Sequence, residues 1–210
     1  CALYSLGISP KMFTYSFMVR ALVVGSAVSL CAALLGVSLV LKRYSMIGDG
    51  LSHVAFGSMA IAMALNASPL MISIPITVLS AFLLLRVSSN SNIKGDSSVA
   101  LISTSSMALG ILITSMTSGL NTDVTSFLFG SILSIAKTDV IISIILAVVV
   151  VGFFVFFYNR IFGITFDENF SNATGTKVSL YNSLIAVLTA LTVVIGMRLM
   201  GAMMISSLII

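Results

Sequence analysis

The stretch Ser45-MIGDGLSHVAFGSMAIAMA-Leu65 decides how the whole chain is read. Its length suits a membrane-spanning helix, which takes about 20 predominantly apolar residues. Yet it holds Asp49 and His53, the chain's one histidine. Four positions apart on a helix, the two side chains stack on one face about one turn from each other. An aspartate at the centre of a membrane helix costs roughly 2.5 to 3.5 kcal/mol on the insertion scale, so its place there calls for a compensating partner.

The remainder of the chain has the same character. Of 210 residues, 59% are hydrophobic and 8% are charged, and the mean hydropathy is +1.20. A soluble domain carries about 25% charged residues. Apolar runs of spanning length fall at residues 21–41, 45–65, 69–87, 99–119, 140–158 and 178–197, and another occupies 199–210. Runs this long and unbroken are helices, since barrel strands alternate over segments of about 10 residues. The fold class is therefore all-α and polytopic, with six to seven transmembrane helices. The net charge of +4 arises from 10 basic and 6 acidic residues and forms no basic cluster of the kind a nucleic acid requires. Cys1 and Cys31 have no disulfide or metal-site spacing, and Cys31 reads as a small apolar residue in mid-helix.

Basic residues in short loops mark the cytoplasmic side. Lys42, Arg43, Arg86, Lys94, Arg160 and Lys177 follow the first, third and fifth spans, against Lys11, Arg20, Lys137 and Arg198 on the other side. This puts the N-terminus outside. The outer connection holds an apolar piece at 127–136, too short to span, which reads as a re-entrant or interfacial half-helix. The inner connection at 159–177 reads as a small helix opened by Asp167-Glu168 and closed by Ala173-Thr174-Gly175, with acids in its first turn and glycine at its stop. A chain that begins with Cys1 and ends inside an apolar run reads as a piece of a longer protein, with further spans beyond Ile210.

Read from the residues alone, Asp49 and His53 stay open to several roles. Asp49 could cap its helix from the interface while His53 bonds a neighbouring carbonyl. A carboxylate and an imidazole are also normal ligands for Zn²⁺ and harder divalent ions, and the pair could act as a proton relay in an ion-coupled carrier. A membrane scaffold would use neither.

Leu39-VLKRYSMIGDGLSHVAFGSMAIA, Phe127-LFGSILSIAKTD, Phe166-DENFSNATGT and Met197-RLMGAMMISSLII together resemble, in order and spacing, the permease subunit of the ATP-binding cassette importers for zinc, manganese and iron. The resemblance implies one transmembrane permease domain over 1–210, in the inner or plasma membrane of a prokaryote. It implies a homodimer of permease copies, two cytoplasmic ATPase subunits and an extracytoplasmic metal-binding protein as partners, and no nucleic acid. The permease would catalyse nothing and hold no permanent cofactor. Its transported ion would be a divalent metal held in transit by Asp49 and His53. Zinc is favoured over manganese or iron by the wording of Gly48 to Gly57. Phe166, Asp167, Glu168, Asn169, Phe170, Ala173 and Gly175 would lie in the coupling helix that docks on the ATPase. A two-fold axis would then bring two carboxylates and two imidazoles together, enough for a tetrahedral divalent site.

Overall fold

The computed structural model describes residues 15–42, 45–90, 95–117, 128–130 and 137–209. Among these the elements are helices: α1 (Ser16–Leu41), α2 (Ser45–Ala64), α3 (Pro69–Asn90), α4 (Gly95–Met116), α5 (Lys137–Phe156), α6 (Tyr158–Phe166), α7 (Glu168–Ala173), α8 (Val178–Met200) and α9 (Ala202–Ile209). Four have the length and apolarity to cross a membrane alone, over Phe17–Leu41, Pro69–Val87, Val99–Met116 and Val178–Met200. The bent pair Val140–Phe156 and Tyr158–Phe166, turned through 68°, makes a fifth. The six to seven expected crossings exceed these five by α2 and α9. α9 has eight residues, and α2 is diluted by Gly48, Asp49, Gly50, Ser52, His53, Gly57 and Ser58.

That dilution explains where α2 sits. From Leu51 to Ala60 every residue but His53 is buried, and α1, α3, α4, α8 and α9 all pack against it. The helix that carries Asp49 and His53 is thus largely enclosed by protein, while Leu22, Leu79, Leu101 and Val148 face outward from the others. This arrangement is what hydrocarbon requires, because polar groups facing lipid have no partner there.

Glycines set how closely the neighbours approach α2. A Cβ on Gly57 would lie 2.8 Å from the Ser106 carbonyl oxygen, and one on Gly110 would lie 3.0 Å from the Gly57 Cα. α2 and α4 therefore touch nearly backbone to backbone, as small residues permit between membrane helices. On the α3 side the Ser58 and Ser73 hydroxyls pair at 2.7 Å. α9 closes a third side: Ile209 leaves no room for a Cβ on Gly36 and little for one on Gly48, at 2.5 and 3.2 Å.

Two expectations need adjustment. Residues 159–166 read as part of a connection but form α6, an amphipathic helix with Ile161 and Ile164 buried and Phe162 and Phe166 exposed. Asn159 and Arg160 end the apolar run, which hides a helix of different orientation. Of the expected outer half-helix at 127–136, Leu128, Phe129 and Gly130 are described, and the other positions lie outside the described residues. Gly130 (φ +80°) meets the break between α8 and α9 at Gly201 (φ +83°), where a Cβ on either glycine would strike the other segment's backbone. Cys31 is buried as expected, its thiol 3.8 Å from the Ala147 carbonyl.

The seam between α2 and α4 yields a test. Gly57→Val should lower the thermal midpoint of the detergent-solubilised protein through overpacking worth roughly 1–3 kcal/mol. Gly25→Ala, with nothing within 4 Å of the added carbon, should leave the midpoint unchanged or raise it slightly.

Candidate metal site

Asp49 and His53 are the fifth and ninth residues of α2, about 6 and 12 Å along its axis from the first residue. Asp49 is therefore inside the helix and does not cap it, since a cap residue stands outside helical geometry. His53 Nε2 lies 3.6 Å from Asp49 Oδ1, with side-chain exposures of 20% and 37%. His53 Nδ1 is buried without a hydrogen-bond partner among the described residues. Among the described residues, then, no carbonyl of a neighbouring helix holds His53 Nδ1.

The separation has chemical content. Two ligands bound about 2.0–2.1 Å from one tetrahedral cation lie about 3.4 Å apart. At 3.6 Å the pair is close to that spacing. Gly48 and Gly50 flank Asp49 and let α9 and α4 close in, with Val99 Cγ1 2.8 Å from where a Gly50 Cβ would be. Among the described residues no group of three or more His, Cys, Asp or Glu side chains could share one metal ion. Asp49 and His53 are thus a pair of potential donors with no third such side chain beside them among the described residues.

At the end of the bundle where α1 stops, α7 has the expected signature. Asp167 is its N-cap, and the carboxylate accepts a hydrogen bond from Phe170 N–H at 2.9 Å. Glu168 stands in the first turn beside the positive end of the helix dipole. At the other end Gly175 N–H bonds to Asn172 O and Thr176 N–H to Ser171 O. With Gly175 at φ +80° this is a Schellman stop. Phe166 and Phe170 are 66% and 67% exposed, Asn169 and Ala173 are exposed, and Ser171 is buried. The structure does not bring this segment to Asp49 and His53, which lie inside the bundle on α2.

A polar link that the sequence reading did not anticipate ties α7 to the end of α1 and the start of α8. The Lys42 ammonium donates to Asn182 Oδ1, and Asn182 Nδ2 donates to Glu168 Oε1 at 3.3 Å. Burial pulls the Lys42 ammonium below the ordinary lysine range, and the Glu168 carboxylate opposes that shift. Asn182, a polar residue inside an apolar span, was the one signal in the sequence.

Apolar helices around a polar central helix, with a capped amphipathic segment at one end, define a multi-pass membrane permease. Residues 14–210 match the model of the ABC 3 transport family, and the chain belongs to that family. It is similar to the manganese transport system membrane protein MntC of Halalkalibacterium halodurans, 26% identical over 200 residues covering 95% of this chain and 68% of that protein. It is also similar to the high-affinity zinc uptake system membrane protein ZnuB of Haemophilus influenzae, 28% identical over 196 residues covering 93% and 75%. Among solved structures, PsaBC from Streptococcus pneumoniae in complex with Fab aligns with a TM-score of 0.84 at 28% identity, covering 95% of this chain and 72% of that one. The chain is thus a permease subunit of the ABC type.

The cap gives a local test. Asp167→Ala should destabilise α7 by about 1 kcal/mol, read as roughly fivefold faster amide hydrogen exchange at Phe170. Asp167→Ser should restore most of the protection.

Proposed function

We propose that this chain is the membrane-spanning subunit of an ATP-driven importer of divalent transition-metal ions, with zinc as the first ion and manganese or iron as the alternatives. The observation that carries the reading is the pair Asp49 and His53, 3.6 Å apart on a helix enclosed by protein. An ionisable pair inside a membrane bundle marks an ion path by default. The relatives named for manganese and for zinc are similar to this chain at 26% and 28% identity, which supports a metal cargo and favours neither ion. An imidazole in the donor set suits zinc well.

Two copies related by a two-fold axis place two Asp49 carboxylates and two His53 imidazoles around one ion. The ion is delivered by an extracytoplasmic metal-binding protein and leaves toward the cytoplasm. ATP is hydrolysed on separate cytoplasmic subunits docked at Phe166 to Gly175, and their closure switches the side to which the ion is open. The permease breaks no bond. Its site must hold the ion firmly enough to capture it and weakly enough to release it. Proton uptake on His53 removes the lone pair that binds the metal, so acid weakens the site.

The test is radiolabelled zinc uptake in cells lacking their own high-affinity importer and carrying the full-length parent of this chain. Asp49→Asn and His53→Ala should each cut uptake at least about 10-fold, the loss that even outer-shell changes cause at metal sites, at unchanged membrane abundance. Normal uptake in both variants would remove the pair from the ion path. Unlabelled manganese competing at lower concentration than zinc would reassign the ion.

A further inference from the structure

Three polar side chains meet where α1 ends and where α7 and α8 begin. Lys42 is the C-cap of α1, Glu168 opens α7, and Asn182 lies in the second turn of α8. Asn182 accepts from the Lys42 ammonium and donates to the Glu168 carboxylate. It is only 7% exposed, so these bonds stand in place of water. A side-chain amide can accept from a cation with its oxygen and donate to an anion with its nitrogen. Asn182 does both, joining the consecutive helices α7 and α8 to α1, 140 residues away in sequence.

The position of this link matters because α7 has six residues, far below the length at which a helix holds itself in water. Its two caps are local bonds. What seats it on the bundle is Ser171, turned inward, and Glu168, bonded to Asn182. α1 and α8, which carry the other two members, both pack against α2. A displacement of α7 therefore has a bonded route to two of the five helices that pack against α2.

We propose that Lys42, Asn182 and Glu168 are positioning residues that carry the movement of α7 to α1 and α8, and so set the state of the ion path. The proposal rests on the reading of α7 as the ATPase-docking helix. None of the three touches ion or nucleotide. Without the link, α7 remains docked and its movement is absorbed where it sits.

The experiment uses the full-length permease with its ATPase subunits and metal-binding protein in proteoliposomes. It reads co-purification of the ATPase, ATP hydrolysis, and zinc taken up per ATP. Lys42→Met and Asn182→Leu should each keep the ATPase bound and hydrolysing, while zinc per ATP falls about 3- to 10-fold, the range of energetic coupling through such networks; Glu168→Ala, which also lies in the docking segment, is read as zinc per ATP on the complexes that retain the ATPase. The Lys42→Met, Glu168→Ala double variant should be no worse than either single one, because members of one network are not additive. Lys42→Arg, which keeps the donor and the charge, should restore the wild-type ratio. Glu168 is exposed, so its variant reports even if Asn182→Leu fails to accumulate. An unchanged ratio in Glu168→Ala and Lys42→Met, or additive losses in the double variant, would overturn the proposal. Phe170→Asp separates the two readings. If it releases the ATPase while the link variants transport normally, the link alone has failed; if it leaves both ATPase and uptake intact, the docking reading has failed and takes the link with it.

Discussion

A helix that carries Asp49 and His53 among glycines and serines can cross hydrocarbon only when other helices enclose it, and the rest of the fold follows from that enclosure. Lipid offers no hydrogen-bond partner to a buried carboxylate or imidazole. α2 is accordingly wrapped by α1, α3, α4, α8 and α9. The wrapping is tight because Gly57 and Gly110 let α4 in and Gly36 and Gly48 let Ile209 in. Between membrane helices close contact of this kind takes over the part that hydrophobic burial plays in water. The same small residues that make α2 too polar to face lipid make it the easiest helix to surround.

Enclosure also separates chemistry from power. The Asp49 and His53 side chains stay partly open on α2, 37% and 20% exposed, whereas α7 stands at the end of the bundle with Phe166 and Phe170 turned outward. A six-residue helix held by Asp167 at one end and Gly175 at the other is a compact handle, and its caps keep it helical without a core of its own. α1 and α8, to which α7 is bonded through Lys42, Asn182 and Glu168, both pack against α2.

Much of this was legible in the sequence, for stated reasons. Hydropathy found α1, α3, α4, α5 and α8 because each carries a long apolar stretch. The spacing of Asp49 and His53 put them on one face, and the structure brings them to 3.6 Å. The acids at Asp167 and Glu168 and the glycine at Gly175 announced α7, although Asp167 proves to be its cap and not part of its first turn. α6 was not legible as a span because its period is amphipathic and two polar residues interrupt the run. The bond from Lys42 to Asn182 joins residues 140 apart, and no local pattern reports on such a pairing. The depth of Asp49, which decided between cap and interior residue, depended on where α2 starts, and helix starts are what sequence locates least well.

The central claim is that a two-fold pair of chains completes one metal site from Asp49 and His53. X-ray absorption at the zinc edge of the purified full-length permease, loaded with zinc and paired with a metal count per chain, tests it directly. The expected result is one zinc per two chains in a four-coordinate nitrogen and oxygen shell at about 2.0–2.1 Å, with imidazole scattering that disappears in His53→Ala. One zinc per chain, or a shell unchanged by His53→Ala, would contradict it.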